Sequence, residues 1–406
     1  MWHISKEISV FMFQNKVMNY YKKNAFTFYN FSKVVFLFVI LTSVTCCAQN
    51  TYYKFHPGAD KWFDTDGVHI NAHGGGLLYD QETYYWFGEH KIAGTKGNRA
   101  MVGVQVYSSK DLYNWKNEGV ALQVKNDSSS LLQVGCTLER PKVLYNNKTK
   151  KYVMWFHHEI KDMGYHAALT GVAIADRAVG PYTYIKSFRI NPLKWPQNIT
   201  EQEKNTAKEA FEDKELSHPE LGRKGGYLYR DYPGGQMSRD MALFKDDDGT
   251  AYHITASESN QTIHISKISD DYLSLTGEYV RIFPGGRNEA PAVFKKDGVY
   301  YMMSSGLTGW APNPARSAKA NNIFGPWTSL GNPVRGTEKQ VKTTFGGQST
   351  YVLPVAGKKD AFIFMADVWT PKNPIDGKYV WLPIEFEDDK PIIKWYPEWD
   401  LTFFDK

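Results

Sequence analysis

One short unit recurs five times between residues 73 and 367: a polar head, an apolar strand, a turn, and a second strand heavy in Tyr and other bulky residues. The copies read HGGGLLYDQETYYWFGE (73–89), ERPKVLYNNKTKKYVMWFHHE (139–159), RDMALFKDDDGTAYHITAS (239–257), EAPAVFKKDGVYYMMSS (289–305) and GQSTYVLPVAGKKDAFIFMAD (347–367). β-Formers flanking Asp, Asn, Gly and Lys turns make each copy a β-hairpin. More strand-like sequence follows each hairpin, as in VGVQVYSSKDLYNW (102–115) and TIHISKISDDYLSL (262–275), so a unit holds four strands. Five units that cannot bury both faces alone predict an all-β chain: a five-bladed β-propeller of four-stranded antiparallel blades, whose stacking round an axis hides the sheet faces. A two-sheet sandwich accounts for the strands and leaves the five similar heads unexplained. The one helix-like segment, TEQEKNTAKEAFEDKEL (200–216), is highly charged and is expected to decorate the surface or a rim.

The chain is long enough for this. It has 406 residues, 42% of them hydrophobic and 15% aromatic, which supplies a large core and excludes disorder. The net charge of +5 comes from 48 basic and 43 acidic residues interleaved throughout, so there is no basic block of the kind a nucleic-acid partner requires. Three cysteines, Cys46, Cys47 and Cys136, make neither a disulfide framework nor a zinc site.

Residues 1–50 stand apart from the repeat. Lysines 16, 22, 23 and 33 precede VVFLFVILTSV and then TCCAQN, the pattern of a secretory signal whose apolar run is too short to span a membrane comfortably. Cleavage after Ala48 and lipid attachment at Cys46 or Cys47 are alternatives, and the long lead suggests Met18 as the true start. The expected domain is therefore 51–406. It would be exported, whether periplasmic, extracellular or lipid-anchored at the surface, with no membrane span in the mature chain.

In a propeller the first strand of each blade lines the axis, so the strand heads converge. Those heads are His73-Gly74-Gly75, Glu139-Arg140, Arg239-Asp240, Asn288-Glu289 and Gly347-Gln348. A single acidic residue at a strand end is usually only solvated. Acids recurring at one structural position in three units point to a site instead. Crowded carboxylates resist joint ionisation, so one stays protonated while an arginine keeps another charged. A proton donor beside an ionised neighbour suits glycoside hydrolysis, which needs an acid for the leaving oxygen and a base or nucleophile on the other face of the sugar. Trp310, in GLTGWAPNP, is a candidate to stack on a pyranose ring. KDDDGTAY falls where a hairpin turn is required and reads as that turn rather than a calcium loop. His157 and His158 alternate faces, while His73 and His253 are candidates to face the axis; no metal and no cofactor is assigned. There is also no Ser-His-Asp constellation or nucleotide-binding glycine loop in a suitable context.

At these residues the chain resembles glycoside hydrolase family 43 over residues 51–390. EAPAVFKKDGVYYMMSS is similar to that family's general-acid segment, and RDMALFKDDDGTAYHI to the segment whose acid tunes it. The resemblance implies Glu289 as general acid, Asp240 as its modulator, and an inverting mechanism. The departure lies in blade one, where most of the family carries an Asp as base and this chain reads NAHGGGLLYD. With LERPKVLYN and TTFGGQSTYVLP, that absence resembles the exo-β-1,3-galactanase branch, in which a glutamine is proposed to stand in for the base. The resemblance then implies Gln348 in that role, with Glu139, Arg140 and Glu89 holding the terminal galactose of a β-1,3-galactan, and Thr308 and Trp310 as looser substrate contacts. Gln348 could position water, act through its imidic tautomer, or leave the base role to Glu139. The competing readings are an α-L-arabinofuranosidase or β-xylosidase on the same fold, and a propeller that binds carbohydrate without cleaving it.

Overall fold

The hairpin turns set the register of each blade. Asp297 and Gly298 both take positive φ, 49° and 80°, and leave Lys296 paired with Val299. That is the type I′ geometry whose twist matches the flanking strands, and Asp-Gly is the dipeptide that enters it at least cost. The structure, a computed structural model, describes residues 51–405; the segment expected to be a signal, with Met18, Cys46 and Cys47, lies outside the described residues.

Five sheets follow one another along the chain. Blade one is β1 (His73–Asp80), β2 (Thr83–Glu89), β3 (Gly103–Ser109) and β4 (Lys116–Gln123); blade two is β5 (Thr137–Asn146), β6 (Lys151–Glu159), β7 (Leu169–Ala175) and β8 (Thr183–Phe188). Blade three is β9 (Met241–Lys245), β10 (Ala251–Ser257), β11 (Thr262–Ile268) and β12 (Leu275–Ile282); blade four is β13 (Asn288–Lys296), β14 (Val299–Gly306), β15 (Arg316–Ala320) and β16 (Thr328–Gly331). The fifth adds the two-residue β17 (Val334–Arg335), parallel to the outer strand, to β18 (Gln348–Pro354), β19 (Phe362–Val368), β20 (Lys378–Glu387) and β21 (Lys390–Lys394). The fold is a five-bladed β-propeller.

The first strands β1, β5, β9, β13 and β18 touch their neighbours in sequence, and β18 returns to β1, which closes the ring. Between each pair of consecutive blades lies one apolar core, five in all. The seam between the last and first blades is aromatic. Phe55 bridges Trp399 and stacks on it at 4.4 Å, while Trp86 and Trp381 meet at 4.7 Å. His73 and His253 belong to such seams. His73 stacks on Tyr379 of blade five at 5.3 Å, and His253 lies 5.3 Å from the Trp155 ring of blade two.

The expected helix forms at Glu201–Glu212, started by a capping box in which Thr200 and Glu203 satisfy each other's backbone donors. Two further helices, His218–Arg223 and Gly226–Asp231, follow it and were not anticipated from the sequence. They are six residues each, too short for an amphipathic period to register. No helix among the described residues is long and apolar enough to cross a membrane.

Candidate active site

At the strand heads the regular ladder breaks. Pairing slips between His73 and Gly76 in β1, Glu139 and Lys142 in β5, Glu289 and Ala292 in β13, and Ser349 and Tyr351 in β18. These are β-bulges, which re-aim side chains at a sheet end. In three of them the residue at the break is left-handed: Gly74 at φ 60°, Arg140 at 56° and Ala290 at 52°. For Arg and Ala that conformation costs about 1–2 kcal/mol each, so it persists only because tertiary bonds hold it. The backbone N–H of Arg140 donates to Glu89 at 2.9 Å, and that of Ala290 to Asp240 at 3.1 Å.

The heads surround a cavity of about 290 Å³ lined by Glu89, Lys91, Glu139, Arg140, His157, Tyr165, Arg239, Asp240, Asn260, Glu289, Gln348, Trp310 and Trp369, with Leu307 and Gly309. At its centre is the buried guanidinium of Arg140. Nη2 donates to Asp240 at 2.9 Å and to Gln348 Oε1 at 2.7 Å, Nε to Asp240 at 3.2 Å, and Nη1 to the Ser349 carbonyl at 2.9 Å. The cation lies 5.3 Å from the centre of the Trp369 ring, whose indole N–H also donates to Gln348 Oε1 at 2.8 Å. Gln348 Nε2 donates to Ser305 at 2.9 Å. The glutamine amide is thus held in one orientation, its oxygen saturated by two donors.

Glu289 has a different environment. Asn260 Nδ2 donates to its Oε1 at 2.7 Å. Burial first, and then the charge of Asp240, push its carboxyl up to about 8, against the opposing pull of Arg140 and Arg239. Glu139 goes the other way. Burial opposes its ionisation, but His157 at 3.0 Å, Lys91 and the Tyr165 hydroxyl at 2.7 Å outweigh it and hold the carboxyl down at about 2. His157 is sandwiched between Glu139 and Glu159, 2.9 Å away, and these partners overcome its burial and raise it to about 9. Glu139, His157 and Asp240 have ligand atoms within 4.8 Å of one another, but His157 spends both ring nitrogens on carboxylates and Asp240 is committed to Arg140. The donor set therefore reads as an internal ion-pair network.

Blade one shows where its carboxylate comes from. A Cβ on Gly74 would stand 2.1 Å from Glu89 Oε1, so the glutamate of β2 occupies the space a side chain on the β1 head would need. Glu89 is paired with the buried Lys91, and Gly74 N–H donates to Asp367 at 2.6 Å.

Trp310 stands at the rim, 40% exposed, edge-on to Trp369 with centroids 5.8 Å apart. Thr308 does not line the cavity as its neighbours do. Its hydroxyl donates to the Ala311 carbonyl at 2.6 Å and accepts from Asn313 at 2.7 Å. Lys91, Tyr165, Asn260 and Trp369 were missed from the sequence because they lie in the segments that follow or connect strands, outside the strand heads. Trp369 was the most findable, two residues beyond the last hairpin repeat.

These shifts give a pH signature for stability. Glu139 lies below its ordinary 4.5, so its contribution is present above that value and lost as pH falls toward about 2. His157 lies above its ordinary 6.5, so its contribution is full below 6.5 and is lost as pH rises through about 9. Thermal melts are expected to fall off on both flanks, and His157→Gln should flatten the alkaline one; an unchanged alkaline flank would contradict the assignment.

A model of the family described as glycosyl hydrolases family 43 matches residues 224–391. A family-43 β-1,3-galactosidase solved with galactodeoxynojirimycin is 50% identical and superposes with a TM-score of 0.81 over 86% of this chain and 100% of that one. An exo-β-1,3-galactanase from Phanerochaete chrysosporium, solved with β-1,3-galactotriose, is 31% identical with a TM-score of 0.69, covering 86% of this chain and 68% of that one. A β-D-galactofuranosidase from Aspergillus niger is 30% identical over 129 residues, 29% of this chain and 37% of that protein, so the match spans little more than a third of that relative. Half-identity along the full length of a solved galactosidase, together with the propeller and its carboxylate-lined cavity, makes this chain a glycoside hydrolase belonging to family 43.

Proposed function

We propose that the protein is an exported exo-acting hydrolase that releases galactose from β-1,3-galactan with inversion of the anomeric centre. The observation that carries this reading is the placing of a half-buried Glu289, its carboxyl pushed up to about 8, and an amide, Gln348, in one pocket whose first blade offers no acid at its head. The β-1,3-galactosidase and exo-β-1,3-galactanase relatives support the choice of sugar and linkage.

In this mechanism Glu289 gives its proton to the glycosidic oxygen as the C1–O bond breaks, and a water adds to C1 from the opposite face. Asp240 raises the acid's proton affinity, and Arg140 fixes Asp240. Gln348 positions the water. Its oxygen already accepts from Arg140 and Trp369, and neither donor can take a proton back, so an imidic O–H would have no acceptor there. The water's proton passes to Glu139, a carboxylate of the pocket that is held charged and, unlike Asp240, is not committed to Arg140, while Glu89, Glu139 and Arg140 hold the terminal sugar and Trp310 stacks at the rim.

Digestion of methyl β-1,3-galactobioside, whose blocked reducing end lets free galactose come only from the non-reducing sugar, followed by anomer-resolved NMR tests the reading. The first product should be α-galactose, with nitrophenyl arabinofuranoside and xyloside left intact. Initial release of β-galactose, or preference for the pentosides, would sink it. Turnover should decline as pH rises through about 8, because the productive Glu289 is the protonated one. A profile that instead climbs through this range would count against Glu289 as the acid. Export is read from the lysine-rich lead and apolar run before residue 50. N-terminal sequencing of the secreted or envelope fraction tests it, and an uncleaved chain confined to the cytosol would contradict it.

A further inference from the structure

The turn between β10 and β11 is unusually strained. Glu258, Ser259 and Asn260 are consecutive left-handed residues, at φ 52°, 56° and 60°. L-residues visit that region singly, so three in a row require an external hold.

The hold is ionic and fully buried. Glu258 is 0% exposed, and each of its oxygens takes two donors. Oε1 accepts from His264 at 2.8 Å and Arg281 Nε at 3.0 Å; Oε2 accepts from Arg281 Nη2 at 2.7 Å and the Thr262 hydroxyl at 3.1 Å. Burial disfavours the charge, but Arg281 and His264 outweigh it and keep the carboxyl down at about 2. The helical insertion braces the same turn from outside. Arg281 Nη2 also donates to the Gly222 carbonyl at 2.8 Å, and Arg230 reaches the Ser259 hydroxyl at 3.3 Å. What the turn delivers is Asn260, whose amide nitrogen meets Glu289 Oε1 at 2.7 Å. By donating to that oxygen, Asn260 leaves the acidic proton on the other one.

We propose that Glu258 is a positioning residue for the general acid: its ion pair with Arg281 holds the left-handed turn that keeps Asn260 on Glu289. The inference rests on the reading of Glu289 as acid, and it gives the helical insertion a catalytic purpose. Losing Glu258 should then impair proton delivery more than sugar binding.

A pair of substrates reads this directly. β-1,3-Galactobiose has a poor leaving group and needs the proton, whereas β-D-galactosyl fluoride expels fluoride with little help. In Glu258→Gln, kcat on galactobiose is expected to fall about 10²-fold, the low end of a general acid's contribution, with fluoride hydrolysis nearly unchanged. A parallel loss on both substrates, or no loss on either, overturns the inference. Glu289→Gln is run alongside. If it shows no split between substrates, the reading of Glu289 fails and the inference with it; a split there without one in Glu258→Gln overturns the inference alone. Should Glu258→Gln not fold, Thr262→Val removes one of the four bonds at nearly constant shape and must show a smaller split of the same sign.

Discussion

Glu289→Gln is expected to lower kcat on β-1,3-galactobiose by about 10²- to 10⁴-fold, the range a positioned general acid supplies. The amide keeps the shape and can still receive the Asn260 hydrogen bond, so KM should change little and the loss should sit in kcat. The same substitution should raise stability at neutral pH. The folded protein holds Glu289 up at about 8, far above the ordinary 4.5, so the carboxyl's contribution is full below 4.5 and is lost as pH rises toward about 8. Glutamine has no such loss. Steady-state kinetics and denaturant melts at neutral pH measure both effects, and a variant that keeps wild-type turnover would falsify the acid assignment.

Arg140→Met is expected to cost both fold and function. Arg140 is 4% exposed, and its guanidinium ties Asp240, Gln348 and the Ser349 carbonyl together. Removing one partner of a buried pair typically costs about 3–5 kcal/mol, because the other charge is left in a poor solvent. Asp240 and the amide of Gln348 would both lose their anchor, so turnover should vanish in the protein that remains folded. Arg140→Lys keeps the charge and loses the fork, so it should recover more stability than activity. Adding Asp240→Asn to Arg140→Met removes the stranded charge and should restore part of the stability with no turnover. If urea melts show Arg140→Met as stable as wild type, the buried pair does not hold the site as argued.

Much of the site could be read along the chain because its parts sit at equivalent places in a repeat. Glu139, Asp240, Glu289 and Gln348 are found by aligning hairpins, and ring closure of β1, β5, β9, β13 and β18 brings them to one cavity. Residues off that repeat stayed hidden. Asn260 lies in a turn, Tyr165 in the β6–β7 connection and Trp369 just beyond β19, and no local pattern marks them as facing the same space. The break at the strand heads was equally invisible, since neither Arg140 nor Ala290 belongs to the residue types that favour a left-handed backbone.

The amino-acid sequence by itself determined the blades and their order, because strand alternation and Asp-Gly or Asn-rich turns are local and each hairpin needs only its own residues to form. It also determined that blade one has no acid at its head. Only the tertiary structure decided what replaces it: Glu89 fills the space beside Gly74, and Arg140 and Trp369 fix the amide of Gln348. Those outcomes depend on bonds between residues up to 208 positions apart, such as Arg140 to Gln348. Such bonds balance backbone strain and buried charge that no short stretch of chain could sustain alone.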